Sequence, residues 1–256
     1  MSDAVVLTEK KNAVFTITMN RPEKFNALNQ DMIRELQAAV DRAASDDEIK
    51  VVVLTGAGGN FCSGADMALF QANMESPVWL DGMRRLGRLV VALRSMDPIV
   101  VTKLHGAAIG GGANLALSGD FVVAADNAKF RENFVEIGLV LDAGGTYFLP
   151  RLVGLVKARE LALLAEEISG RQGADMGLFY KSVPVGELDG EVERLVQTLS
   201  NKPKAALALI KEGLENSLDM NLKQLMDRES GYQSVVLQTQ EHRDRVNFFL
   251  QARGKK

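Results

Sequence analysis

The sequence predicts an α/β fold, and three observations carry that prediction. β-branched runs alternate with helix-period segments over the first half, two small-residue stretches sit at strand-to-helix junctions, and the last quarter reads as helix alone. The chain has 256 residues, 46% of them hydrophobic and 25% charged, which is ample for one large core. We expect that core over residues 1–190 and a helical oligomerisation region over 191–256.

Strands are expected at Val5 to Thr8, Val14 to Met19, Val51 to Leu54 and Ile99 to Val101. Met32, Ile33, Leu36, Ala39 and Val40 recur at helical spacing between the second and third strands, and a second helix is expected from about Val78 to Ser95, ended by Asp97-Pro98. Beyond Gly144 only a short piece around Lys181 to Val185 reads as strand. From Val192 onward the pattern is helical, with apolar stripes over Pro203 to Ser217 and Leu222 to Leu237, and a final segment over Asn247 to Ala252. So much apolar surface in a tail implies packing on a neighbour.

Composition removes several function classes. The net charge is -3 and basic residues are scattered apart from the Lys255-Lys256 end, so a nucleic-acid partner is not expected. The single Cys62 excludes an intrachain disulfide, and with only His105 and His242 present no Cys/His spacing suits a metal. No apolar run approaches the roughly 18 residues of a membrane span, and Met1-Ser2-Asp3 opens no leader pattern, so we expect a cytoplasmic protein without a membrane partner.

The two small-residue stretches are Phe61-Cys62-Ser63-Gly64-Ala65-Asp66 and Gly106-Ala107-Ala108-Ile109-Gly110-Gly111-Gly112. Side chains this small let two backbone segments approach one ligand and leave peptide N–H groups free at helix N-termini, where an anion or a developing oxyanion is favoured. Paired donors suit an enolate. Gly56-Ala57-Gly58-Gly59 invites a phosphate-loop reading, but no Gly-Lys-Ser/Thr follows and neither glycine cluster fits Gly-x-Gly-x-x-Gly, so nucleotide hydrolysis and NAD binding are set aside. Cys62 has no histidine in sequence context to activate it and reads as a small packed residue, and His105 reads as a core or loop histidine.

Asn20-Arg21-Pro22-Glu23-Lys24-Phe25-Asn26-Ala27-Leu28, the two small-residue stretches, Gly119-Asp120 and Gly144-Gly145-Thr146, in that order and spacing, resemble the enoyl-CoA hydratase/isomerase (crotonase) family over nearly the whole chain. The resemblance implies a spiral of ββα units, a C-terminal trimerisation region giving a homotrimer or dimer of trimers, and an acyl-CoA thioester as the bound partner. No metal or redox cofactor is implied, coenzyme A being part of the substrate. The thioester carbonyl would sit between the N–H groups of Ala65 and Gly111. Lys24, Ala27, Ser63 and Gly64 would contact the substrate, Lys24 at a CoA phosphate, and so would Asp66, Met67, Gly110 and Phe134. The helix after Asp66, Met67 to Ser76, would set pocket depth, and Phe249 and Arg253 would reach a neighbouring subunit's CoA.

The chain departs from the family's hydratases at both of their glutamates, where it has Asn114 and Phe134. A carboxylate stands instead at Asp142, before Ala143-Gly144-Gly145-Thr146, in a pattern similar to the family's single-aspartate isomerases, among them those acting on ring-epoxide phenylacetyl-CoA. One base is sufficient for a double-bond shift, because it can remove a proton from one carbon and return it to another while the dienolate is held. A helix N-cap is the alternative role for Asp142. Glu132 and Glu136 flank Phe134 by two residues, which on a helix turns both away from it toward solvent or a subunit neighbour. The resulting expectation is a CoA-thioester isomerase using Asp142; the alternatives are a hydratase with an atypical base and a non-catalytic acyl-CoA-binding protein. Aryl-CoA dehalogenation ranks lower, lacking its further aromatic and histidine residues.

Overall fold

The computed structural model describes residues 4–71 and 75–253, with side chains through 251. It begins with an antiparallel hairpin, β1 (Val6–Lys11) and β2 (Val14–Met19), turned through Asn12 at a φ of 54°, a conformation Asn tolerates. Helix α1 (Gln30–Ser45) follows. The Asn29 side chain caps it by accepting from the Met32 N–H, and Met32, Ile33, Leu36, Ala39, Val40 and Ala43 form its buried stripe. Next come β3 (Val51–Gly56), α2 (Ala68–Gln71), α3 (Ser76–Ser95), β4 (Ile99–Leu104), β5 (Ala107–Ile109), α4 (Gly111–Leu117), β6 (Phe121–Ala125) and β7 (Lys129–Arg131). After α5 (Gly145–Arg159), β8 (Ile168–Ser169), α6 (Gly170–Asp175) and β9 (Lys181–Val183), the chain ends in α7 (Leu188–Ser200), α8 (Lys204–Glu215), α9 (Leu222–Val236) and α10 (Gln240–Arg253).

The main sheet runs β1-β2-β3-β4-β6-β9, parallel beyond the hairpin. Every residue of β3 is buried, as a central parallel strand covered on both faces requires. The second sheet, β5-β7-β8, is small, and its strands of two or three residues carry too little pattern to read from sequence. β6 was also not foreseen. Helix α10 starts at Gln240 rather than Asn247, and α2 fills only part of the helix expected over Met67 to Ser76, of which residues 72–74 lie outside the described part.

Helix α7 crosses residue 190, and its Leu188, Val192, Leu195, Val196 and Leu199 join the main core. The later helices differ. Lys211 is the one residue α8 buries and α9 buries none, while Ile210, Leu214, Leu218, Leu222, Met226 and Phe249 are all more than half exposed. Among the described residues no helix is long and apolar enough to cross a membrane.

Candidate active site

The stretch from Phe61 to Asp66 is held between two others by main-chain bonds. On one side the Ser63 N–H donates to Phe25 O at 3.0 Å, the Leu28 N–H to Gly64 O at 2.7 Å and the Asp66 N–H to Leu28 O at 2.9 Å. On the other, the Phe61 N–H donates to His105 O, the Cys62 N–H to Ala107 O and the Ile109 N–H to Cys62 O, at 2.9 to 3.0 Å. Asn26 locks the first side. It is fully buried with a φ of 56°, and its Nδ2 donates to Ala57 O at 2.9 Å and Asn60 O at 2.7 Å, while its Oδ1 accepts from the Arg21 N–H at 2.9 Å. The Arg21 guanidinium then donates to Ala27 O at 2.9 Å and pairs with Asp66 at 3.0 Å. The Asn20 to Leu28 string is thus a frame for the site's first wall.

Two glycines make the close approach possible. At Gly64 φ is 88°, and a Cβ there would meet Ile109 O at 2.6 Å and the Gly111 N at 3.7 Å. At Gly112 a Cβ would lie 2.4 Å from Cys62 O, so the start of α4 sits directly on the Cys62 main chain. Gly111 opens α4, and among the described residues neither its N–H nor that of Ala65 donates to another main-chain group. The two small-residue stretches therefore meet with a free N–H on each side. Phe134, 5% exposed, places its ring 3.6 Å from the Cβ position of Gly110.

Asp142 reaches this point from the loop before α5. Its Oδ1 lies 3.4 Å from where a Gly111 Cβ would be, with Leu28 and Leu86 side chains at 3.7 and 3.9 Å around the same position. The helix cap is Gly144 at a φ of 90°, with no side-chain capping bond, so the capping role considered for Asp142 is not realised. Its Oδ1 is buried without a hydrogen-bond partner, and burial pushes its carboxyl up to about 6.

Glu132 overturns the reading that placed it toward solvent, being 1% exposed. Residues 129–131 form strand β7, and the 3-10 turn begins only at Asn133, so side chains alternate rather than rotate. Phe130, Glu132 and Phe134 all point inward, whereas Arg131 and Glu136 pair outside at 2.6 Å. The Asn114 Nδ2 donates to Glu132 Oε2 at 3.2 Å and to Asp142 O at 3.0 Å, bridging the two acids. Burial, then the negative charge of Asp142, push the Glu132 carboxyl up to about 8 against the Asn114 hydrogen bond. The Phe-x-Glu-x-Phe alternation was the sequence signal for this residue.

The other expected site residues are more dispersed. Ala27 is buried, Ala65 exposed and Ser63 half-buried along the frame. Lys24 is exposed within electrostatic reach of Asp66, and Met67 is exposed. Burial works against the Asp66 carboxylate, but the Ala68 N–H, Arg21 and Lys24 together hold it below its usual range. Burial pushes the Cys62 thiol up to about 12, leaving it protonated and inert. The half-buried His105 shares a hydrogen bond through Nε2 with Gly58 O at 3.0 Å, and burial holds its pKa below the ordinary value. Phe249 is exposed on α10; the side chain of Arg253 lies outside the described part.

Known proteins resemble the chain over nearly its whole length. The profile of the family described as Enoyl-CoA hydratase/isomerase matches residues 9–255. The chain is 34% identical to the 1,2-epoxyphenylacetyl-CoA isomerase of Escherichia coli, covering 97% of this chain and 96% of that protein. It is 37% identical to a probable enoyl-CoA hydratase of Rhodobacter capsulatus, covering 99% and 97%. Among solved structures, an enoyl-CoA hydratase from Bacillus anthracis superposes with a TM-score of 0.92 at 26% identity, over 97% of this chain and 96% of that one. The α/β fold is therefore the crotonase-like one.

Proposed function

The chain belongs to the enoyl-CoA hydratase/isomerase family, and from that premise we propose that it isomerises an enoyl-CoA thioester, with Asp142 as base. The observation that carries the reading is the position of the Asp142 carboxyl. It stands over Gly111, the first residue of α4 and bearer of one of the free N–H groups, uncommitted to any cap and with a raised proton affinity. In the proposed reaction the Ala65 and Gly111 N–H groups donate to the thioester oxygen, and Asp142 removes an allylic proton as negative charge develops there. Preorganised donors of this kind stabilise an enolate in a water-poor pocket, each contributing about 3 kcal/mol. Asp142 then returns the proton at the far end of the dienolate.

Leu28, Leu86 and Phe134 would form the apolar wall facing the acyl group, and exposed Lys24 would meet a CoA phosphate. The apolar faces of α8 and α9, with a cavity of about 400 Å³ between them, favour association with further copies of the chain. The test is solvent deuterium exchange and double-bond migration with 3-enoyl-CoA, comparing native protein with Asp142→Asn. Migration in the native protein alone is the expected result, and equal turnover by the variant would refute the role of Asp142.

A second reading, hydration, is favoured by one observation: Glu132 supplies a second carboxyl next to the first. Addition of water across a double bond normally uses two such groups. Product analysis with crotonyl-CoA separates the readings, a 3-hydroxyacyl product supporting hydration.

A further inference from the structure

The Glu132–Asn114–Asp142 cluster has more acceptors than donors. Both N–H bonds of the Asn114 amide are committed, one to Glu132 Oε2 and one to Asp142 O. Three oxygens remain buried without any partner: Asn114 Oδ1, Glu132 Oε1 and Asp142 Oδ1. An unsatisfied buried acceptor costs roughly 1–3 kcal/mol, and more when charged. A cluster of three is therefore not a resting arrangement for two carboxylates. One added proton changes the balance at once, because a carboxylic acid replaces a buried negative charge with a neutral group that carries a donor of its own.

We infer that Glu132 is a positioning residue of this site: it stands beside Asp142 as the neutral carboxylic acid, supplies the proton that the cluster lacks, and limits the pocket to one negative charge. The surroundings select Glu132 over Asp142 as the holder. Glu132 is 1% exposed and Asp142 only partly buried, so ionising Glu132 loses more hydration. No cation offsets that loss among the described neighbours. The loop before α5 contributes Asp142, α4 contributes the uncharged Asn114, and on Glu132's own segment Arg131 and Glu136 pair with each other on the outer face. The raised proton affinities of both acids point the same way, with Asp142 ionising before Glu132.

This assignment rests on the proposed reaction only for its effect on rate. Binding an acyl group strips water from the pocket, which one carboxylate beside two N–H donors tolerates and two do not. The kcat/KM profile should therefore rise through about 6 and fall above about 8. In Glu132→Gln the fall at high pH should vanish, and a profile with both limbs unchanged overturns the inference.

The proton itself is read without substrate, by infrared difference spectra of the native protein titrated from acid to alkaline pH. A protonated-carboxyl band lost with a midpoint near about 8 is expected. It should be absent in Glu132→Gln and displaced to lower pH in Asp142→Asn, where one of its two causes is gone. A native protein with no protonated carboxyl at neutral pH overturns the inference whatever the substrate proves to be. So does a band that survives in Glu132→Gln. Loss of thioester turnover with the band intact refutes the isomerase reading and leaves the proton on Glu132.

Discussion

Helices α7 and α9 are of similar length, 13 and 15 residues, and have opposite surroundings. Each carries an apolar stripe. That of α7 is covered by β3, β4 and β6 of its own chain, whereas α9 has no buried residue at all. Local sequence fixes that a helix forms, and long-range topology decides whether its stripe is covered. The contrast also divides the molecule by task. The meeting point of Gly64, Gly111 and Asp142 is assembled entirely by residues before α7, while α8 and α9 leave Ile210, Leu214, Leu222 and Met226 exposed.

The largest effect that would sharpen this division lies at the carboxyl over α4. Asp142→Asn preserves shape and removes the proposed base, so kcat should fall by about 10²- to 10⁴-fold with thioester binding nearly unchanged in calorimetry. Parallel loss of binding would mean that Asp142 shapes the pocket rather than acting in it. Next comes the junction itself. Gly112→Ala puts a methyl group 2.4 Å from Cys62 O, which the main chain must yield to. Overpacking of that order costs about 1–3 kcal/mol, and because it parts the two N–H groups, activity should drop more than the melting temperature suggests.

The two acids also make stability depend on pH. Both have folded values above their ordinary ones, so the folded state holds more protons than the unfolded state and stability falls as pH rises through that interval. For Asp142 the interval runs from 3.8 to about 6 and for Glu132 from 4.5 to about 8. Removing the charge should stabilise the protein above the interval, on the order of 3 kcal/mol for Asp142 and about 5 kcal/mol for Glu132. Thermal melts of native protein, Asp142→Asn and Glu132→Gln across pH check this; parallel curves would show that neither group is perturbed. A smaller effect is expected on α8. Ile210→Asp places a charge on a 61%-exposed residue of α8, so the chain should still fold while light scattering shows a smaller assembly. An unchanged mass would place the contact surface elsewhere.

The frame of the site was legible because backbone geometry leaves a mark on residue type. Gly64 and Gly112 are small where chains touch, and the Asn20 to Leu28 string encodes the Asn26 and Arg21 bonds. Asp142 was legible through the family pattern. Glu132 was misread as facing outward: the Phe130-x-Glu132-x-Phe134 alternation marks it only once strand period rather than helical period is assigned there, and that choice depends on β7 ending at Arg131 with the 3-10 turn starting at Asn133. The short strands of the second sheet escaped for a related reason. Strands of two or three residues are defined by their partners rather than by their own pattern.

Cys62 gives the smallest expected effect and tests the same distinction between a residue at the site and a residue of the site. It lies within the first small-residue stretch, and its Sγ is 2.7 Å from the Cβ position of Gly112, yet its side chain is fully buried and its thiol is pushed up to about 12. A thiol held so far from ionisation is neither nucleophile nor base near neutral pH. The main-chain groups of Cys62 carry its importance, donating to Ala107 O and accepting from the Ile109 N–H, and any side chain of similar size leaves those bonds in place. Cys62→Ala should therefore cost about 1 kcal/mol for the small cavity and change kcat/KM by less than about threefold. Iodoacetamide at neutral pH should leave the native enzyme active. Rapid inactivation by it would require the two stretches to separate in solution, and would break the contrast between a rigid junction and an unpartnered helical tail.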